Sequence, residues 1–296
     1  MSDGNGHAMG WLKDYPDFRD FTPTHPAVAP LLAAGRLGPD VSRARGALPA
    51  RVDLRRWCSP VEDQGRVGAC TAHAGVGLVE CCERRAHGEH LDASRLFLYK
   101  VTRNLMRATG DSGAYLRTTM AALALFGVPP ERYWPYEERQ LDAEPPAFCY
   151  GFAEHYAALT YFRLDPAGTR PDELLRRIRR YLAGGLPSMF GFTVYGSVAQ
   201  AGRTGAIPFP MPHEPVEGGH AIVAVGYDDD KVVRNAARGA VETRGALRIR
   251  NSWGAGWGEK GYGWLPYAYV TKGLAQDWWS LVTMEWMETG AFGLDA

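Results

Sequence analysis

A thiol, an imidazole and two amides stand in this chain in settings that suit acyl transfer. Cys70 follows Asp63-Gln-Gly-Arg-Val-Gly-Ala69 and opens a run of small and apolar residues, reaching Ala86, that reads as a buried helix. A sulfur in the first turn of a helix feels the positive end of its dipole, which favours thiolate. Gln64, on the approach to that helix, is placed to present its side-chain amide beside the Cys70 backbone N–H as a second donor to an oxyanion. His220 lies in Glu217-Gly-Gly-His-Ala-Ile-Val-Ala-Val-Gly-Tyr227, where glycines precede a buried strand and leave room for a ligand beside the imidazole. Asn251 lies in Arg248-Ile-Arg-Asn-Ser-Trp-Gly-Ala-Gly-Trp-Gly258, where a strand runs into a Gly/Trp loop. A Cys/His hydrolase needs such a nucleophile, a base within hydrogen-bond reach and donors aimed at the developing oxyanion. Taken singly, each residue has a plainer reading: a small buried cysteine, a solvated glutamine, a satisfied core histidine, a turn asparagine.

Together the three segments resemble the papain family of cysteine peptidases, in particular its bacterial intracellular members with a short N-terminal arm. The family's Gln-Gly-x-x-Gly-x-Cys block matches Gln64, Gly65, Gly68 and Cys70; its His-Ala strand matches His220 and Ala221; its Asn-Ser-Trp-Gly block matches Asn251 to Gly254, with Trp257 and Gly258 in step. The similarity runs from about Leu48 to Tyr269 with the catalytic residues in the family's order. The resemblance implies a cysteine endopeptidase: a Cys70 thiolate attacks a scissile carbonyl, His220 protonates the leaving amine, and water then hydrolyses the thioester. Asn251 would orient the imidazole and Trp253 would shield that hydrogen bond. Asp111-Ser-Gly-Ala-Tyr-Leu116 is similar to the stretch whose backbone pairs antiparallel with substrate. Gly113, Ala114, Leu116 and Gly219 are therefore expected around a subsite that prefers an uncharged, apolar side chain over a cation. Two positions depart from the family signature, which has cysteine three residues before the nucleophile and an aromatic after it. Here they are Val67 and Thr71, so a structural disulfide is lost and the wall beside the thiol is changed.

The elements that must hold these residues follow from pattern. After the Cys70 helix, in which Gly75 and Gly77 call for close packing to offset their cost, helices are expected at Arg117–Phe126 and Pro171–Ala183. The latter is stopped by Gly184-Gly185. Beyond Pro187 the chain turns to β-rich runs at Ser188–Val194, Ala221–Tyr227, Ala246–Arg250, Gly261–Leu265 and Trp278–Glu285. Residues 139–147 and 228–245 read as surface loops. The reading is an α+β, papain-like two-subdomain fold: a helical half over about 60–185, an antiparallel β half over about 186–296, and the cleft between them.

Composition narrows the rest. The 33 basic and 33 acidic side chains cancel, so no global field draws the chain to nucleic acid or an anionic membrane. No apolar run reaches the length of a membrane span, and the first ten residues lack the pattern of a secretory signal, so the expected address is the cytoplasm. Five cysteines, an odd number, argue against a disulfide framework. The Asp228-Asp-Asp230 run reads as a solvated turn, and neither metal nor cofactor is expected. His73 is read as packing, not as a second base. Three function classes remain open: hydrolysis of a peptide or protein substrate, transfer of the same thioester to an amine by a transpeptidase or cyclase, and peptide binding without catalysis. Residues 1–47 read as an arm ahead of a peptidase domain at 48–296 and as a possible inhibitory pro-segment. In that reading Trp11, Leu12, Tyr15 and Phe18 anchor it, the stretch from Thr22 to Arg45 crosses the cleft, and release falls near Arg43–Gly46.

Overall fold

The computed structural model describes residues 6–34, 47–88, 92–153, 158–237, 239, 240 and 242–284. In chain order the elements are β1 (Trp11–Leu12), α1 (Ala29–Ala34), β2 (Arg51–Asp53), α2 (Cys70–His87), α3 (Arg95–Met106), β3 (Ala114–Tyr115), α4 (Leu116–Phe126), α5 (Ala147–Ala153), β4 (Ala158–Arg163), α6 (Pro171–Ala183), β5 (Ser188–Tyr195), β6 (Val216–Val233), β7 (Thr243–Arg250), β8 (Tyr262–Pro266), α7 (Tyr267–Thr271) and β9 (Ala275–Met284). Helices fill the first half. Strands β4-β9-β5-β6-β7-β8 form the large sheet in that order, with β2 added to β6, and every listed pairing within it is antiparallel.

Helix α2 is the central strut. Its small residues let neighbours come close: a Cβ on Gly75 would sit 3.0 Å from the Thr119 methyl of α4 and 3.2 Å from Leu98 of α3. Gly77 gives the same room to the Arg250 guanidinium reaching over from β7. The helix cost of two interior glycines is thus met by packing on both sides. Below it, buried Glu80 pairs with Arg95 at 3.2 Å and Arg250 at 3.9 Å and accepts from Ser59 Oγ. Arg250 also donates to Ser59 Oγ (2.8 Å) and the Pro60 carbonyl (2.5 Å), so one ionic cluster joins the helical half to the sheet.

Helix α6 has the expected bounds, with Pro171 at its start, Asp172 and Glu173 in its first turn, and the chain leaving at Gly184. Helix α3 had no counterpart in the sequence reading; its signal is Ser94, whose side chain caps it by accepting from Phe97 N. Strand β6 runs on through Asp228, Asp229 and Asp230, which do not form a solvated turn. Each carboxylate instead meets a different arginine, Arg51, Arg179 and Arg244 respectively. Of the strand expected at Trp278–Glu285, Glu285 lies outside the described residues.

Candidate active site

The register of the sheet sets the imidazole. His220 on β6 pairs with Phe192 on β5, and Val223 pairs with Arg250 at the end of β7, so the chain leaving β7 comes alongside His220. There the Asn251 Oδ1 lies 2.7 Å from His220 Nε2. The same oxygen accepts from Ser252 N at 2.8 Å, which fixes the amide's orientation and makes the imidazole nitrogen the donor. Trp253 stacks on the imidazole, 4.6 Å between centroids at 24°. All three side chains are buried.

The thiol lies at the start of α2. Its sulfur is within reach of the Ala221 N–H, on the residue after His220, which places it against the β wall. Gln64 is held by the opposite loop: its N–H donates to Ser252 O (2.9 Å), and its Oε1 accepts from Ser252 Oγ (2.5 Å). That leaves Nε2 as the free-facing donor group, and it points at carbonyls of Val67 and Ala8, each 2.9 Å away. His73 is buried edge-on against Tyr136. Desolvation, followed by the nearby positive charges of Arg95 and Arg250, holds it well below the usual histidine range, in keeping with a packing role.

Ala8 belongs to the arm, and the arm lies in the groove. The ring of His7 stacks on Trp253 at 5.0 Å, the Gly10 N–H approaches the Cys70 sulfur, and Trp11–Leu12 pair in parallel with Ala114–Tyr115. Ala114 N donates to the Gly10 carbonyl at 2.8 Å. The segment over the thiol is therefore 7–12, not the stretch from Thr22 onward, and residues 35–46, with the expected release point, lie outside the described residues. The anchors differ as well. Trp11 is buried, but Tyr15 and Phe18 are 71% and 97% exposed. Their place is taken by charge: Arg117 pairs with Asp14 and, at 2.7 Å, with Asp20, and donates to the Tyr15 carbonyl at 2.6 Å.

Cover changes the thiol. Cys70 is fully buried, and burial pushes it up to about 11, against the pull of the Ala221, Gly10, Thr71 and Cys70 N–H groups. The thiolate expected from the helix dipole is thus not the state of the covered site. Among the expected substrate-binding residues, Gly113, Ala114, Gly219 and Trp253 all touch the arm. Leu116 instead is buried in the core at the first position of α4.

Three contributors were not legible beforehand. Both carboxylate oxygens of Asp111 accept from Gly68 N at 2.9 Å, Tyr99 donates to Asp111 at 2.7 Å, and Gly113 N donates to the Tyr99 hydroxyl at 3.0 Å. This chain of bonds ties the loop before Cys70 to the strand at Ala114, on the side where Val67 replaces the family's cysteine. All five cysteines are free. The third, Asp277, receives the Trp11 indole N–H at 3.2 Å.

A cysteine at a helix start, set against a β wall that carries an amide-held imidazole, with a side-chain amide beside it, is the equipment of a thiol hydrolase. The sequence profile of the papain family cysteine proteases matches residues 48–277, and the chain belongs to that family. It is 31% identical over 279 residues to an uncharacterised peptidase C1-like protein of Acanthamoeba polyphaga mimivirus, covering 92% of this chain and 85% of that one. Its fold is similar to that of xylellain, a cysteine protease from Xylella fastidiosa, with a TM-score of 0.72 and 32% identity over 96% of this chain and 97% of the other. Cathepsin K of Gallus gallus is 28% identical over 72% of this chain, which spans 58% of the cathepsin's length. Among the described residues no helix is long and apolar enough to cross a membrane.

Proposed function

We propose that this protein is a cysteine endopeptidase that hydrolyses peptide bonds through a Cys70 thioester, and that it is held latent by its own residues 7–12. His220 serves as base and then acid, Asn251 orients it, Trp253 shields the pair, and Gln64 with the Cys70 N–H receives the oxyanion. The observation that carries the reading is the His220–Asn251 bond of 2.7 Å under the Trp253 ring, because an imidazole fixed at Nε2 by an acceptor presents its other nitrogen for proton transfer.

Latency is supported by what the arm occupies and by its direction. A carbonyl, that of Ala8, already sits on the Gln64 amide, and a backbone N–H faces the sulfur. A substrate pairing antiparallel with Gly113–Ala114 runs opposite to β1, which pairs in parallel. The arm therefore fills the groove with reversed polarity and offers Cys70 no correctly presented peptide bond. Five unpaired thiols suit a reducing compartment, and we place the protein in the cytoplasm.

The test is peptide hydrolysis by the full chain with arm docking weakened by Gly10→Val, where a Cβ would overlap the Gly68 carbonyl. Turnover that disappears on adding Cys70→Ala supports the reading. Turnover that survives it, or no turnover at all, rejects it.

A further inference from the structure

Asp277 is a buried carboxylate that catalysis by Cys70 does not use. It stands on β9 with a φ of 62°, a left-handed conformation that a non-glycine residue adopts at a cost, and such strain collects at functional positions. The bend is held in place: Asp165 accepts from the backbone N–H of Asp277 at 2.8 Å and from that of Trp278 at 3.0 Å. What the bend achieves is to aim the carboxylate at the groove.

Its two oxygens have different partners. Oδ1 accepts from Trp279 Nε1 at 2.7 Å and lies 3.3 Å from the Arg163 guanidinium, both fixed parts of the domain. Oδ2 accepts from Trp11 Nε1, and Trp11 belongs to the arm. The space the indole fills is made by two missing side chains, since a Cβ on Gly191 would lie inside the indole and one on Gly219 would come 2.9 Å from its Cε3. Once Trp11 leaves, a deep slot between two strands ends on an acceptor oxygen without its indole donor.

We propose that Asp277 is the floor of a side-chain subsite that selects tryptophan, a large flat aromatic carrying a neutral N–H at its edge, in the peptide substrate, and that Trp11 is its resident mimic. This rests on the peptidase reading above. Tryptophan is selected by both shape and donor: a phenyl ring leaves Oδ2 buried and unpaired, and sites built around a hydrogen bond discriminate strongly against analogues that lack it. A cation gains little. The Arg163 guanidinium already stands beside the carboxylate, Arg117 lies over the face of Trp279, and burial holds Asp277 up at about 7, so that it is only partly ionised near neutrality. The preference for an uncharged side chain read from the sequence is retained, but the floor is polar, not apolar.

The experiment uses the full chain carrying Gly10→Val and Trp11→Ala, so that the arm neither docks nor supplies an indole. Calorimetry measures binding of synthetic peptides with the sequence of residues 6–12 bearing tryptophan, its sulfur isostere benzothienylalanine, phenylalanine or arginine at the Trp11 place. Tryptophan is expected to bind about tenfold or more tightly than the isostere, with arginine weaker than both. Adding Asp277→Asn is expected to abolish that ratio, because the amide oxygen is claimed by Trp279 and Arg163 and the NH₂ then faces the indole donor. Equal binding of tryptophan and isostere above an intact Asp277, or tighter binding of arginine, overturns the proposal, and this holds even if the Asp277→Asn protein does not fold. Cys70-dependent turnover of substrates with the same four side chains is read in parallel. Loss of turnover with the binding order kept counts against the peptidase reading alone, and turnover without the order counts against the subsite alone.

Discussion

The Gln64 side chain donates to the carbonyl oxygen of Ala8 across 2.9 Å, so the amide that a tetrahedral intermediate needs is already engaged by the protein's own chain. The Ala8 carbonyl stands where a scissile carbonyl oxygen would rest. Around it, His7 covers Trp253 and Trp11 fills the slot over Gly191 and Gly219, which accounts for both sides of the thiol with one continuous segment.

Weakening the arm should therefore raise activity. A tethered ligand acts at millimolar effective concentration, so even a weakly binding segment shuts out a micromolar substrate. The Gly10→Val full-length protein is expected to hydrolyse peptides at least about tenfold faster than wild type, with its folded domain unaltered by circular dichroism. Equal rates would show that the arm does not govern access.

The thiol provides a second reading of the same state. Burial pushes Cys70 up to about 11, so in wild type the reactive thiolate appears only as pH rises towards that value. Alkylation of Cys70 by iodoacetamide, followed by mass spectrometry, is expected to climb through the alkaline range. In Gly10→Val, where water reaches the sulfur and the helix N-terminus acts without that desolvation, the profile should move to lower pH. Superimposable profiles would contradict the cover.

How much of this was legible in the residues themselves differs from place to place. Cys70, His220 and Asn251 each sit in a dense local pattern, and a helix such as Pro171–Ala183 carries its own start and stop, so both could be read directly. Strand β4 pairs with β9, far along the chain, and gives no local sign. The run Asp228–Asp230 was misread because its arginine partners come from three other segments. The aromatic and charged stretch after Gly10 did signal docking, but which part enters the groove depends on Gly191, Gly219 and Asp277. Those residues meet only in the folded sheet, and a lone aspartate before two tryptophans reads as ordinary strand.

The tie between the two loops of the helical wall is open to test through Asp111. Asp111→Ala removes the acceptor of Gly68 N and the partner of Tyr99, leaving both donors unpaired at roughly 1–3 kcal/mol. Because the tie positions the strand at Ala114 and not the chemistry itself, KM for peptide substrates, measured in the Gly10→Val background, should rise more than kcat falls. Restoring an acceptor with Asp111→Asn should recover part of the loss, and a change confined to kcat would count against a positioning role.

Stability should depend on the ionic cluster under α2. Glu80→Ala strands Arg95 and Arg250 with little compensation, and removing one partner of a buried pair costs about 3–5 kcal/mol. Urea unfolding is expected to show a loss of that size. A loss below about 1 kcal/mol, the range of surface pairs, would mean that the cluster does not join the two halves.

The central claim is that Cys70, served by His220, is the nucleophile of a peptidase. It is met most directly by treating the Gly10→Val full-length protein with a peptidyl epoxide and locating the adduct by mass spectrometry, beside the same protein carrying His220→Ala. The expected result is a single adduct on Cys70, with a labelling rate that falls by about 10²–10⁴-fold without the histidine. An adduct on Cys58, Cys81, Cys82 or Cys149 instead, or a rate on Cys70 indifferent to His220, would contradict the account.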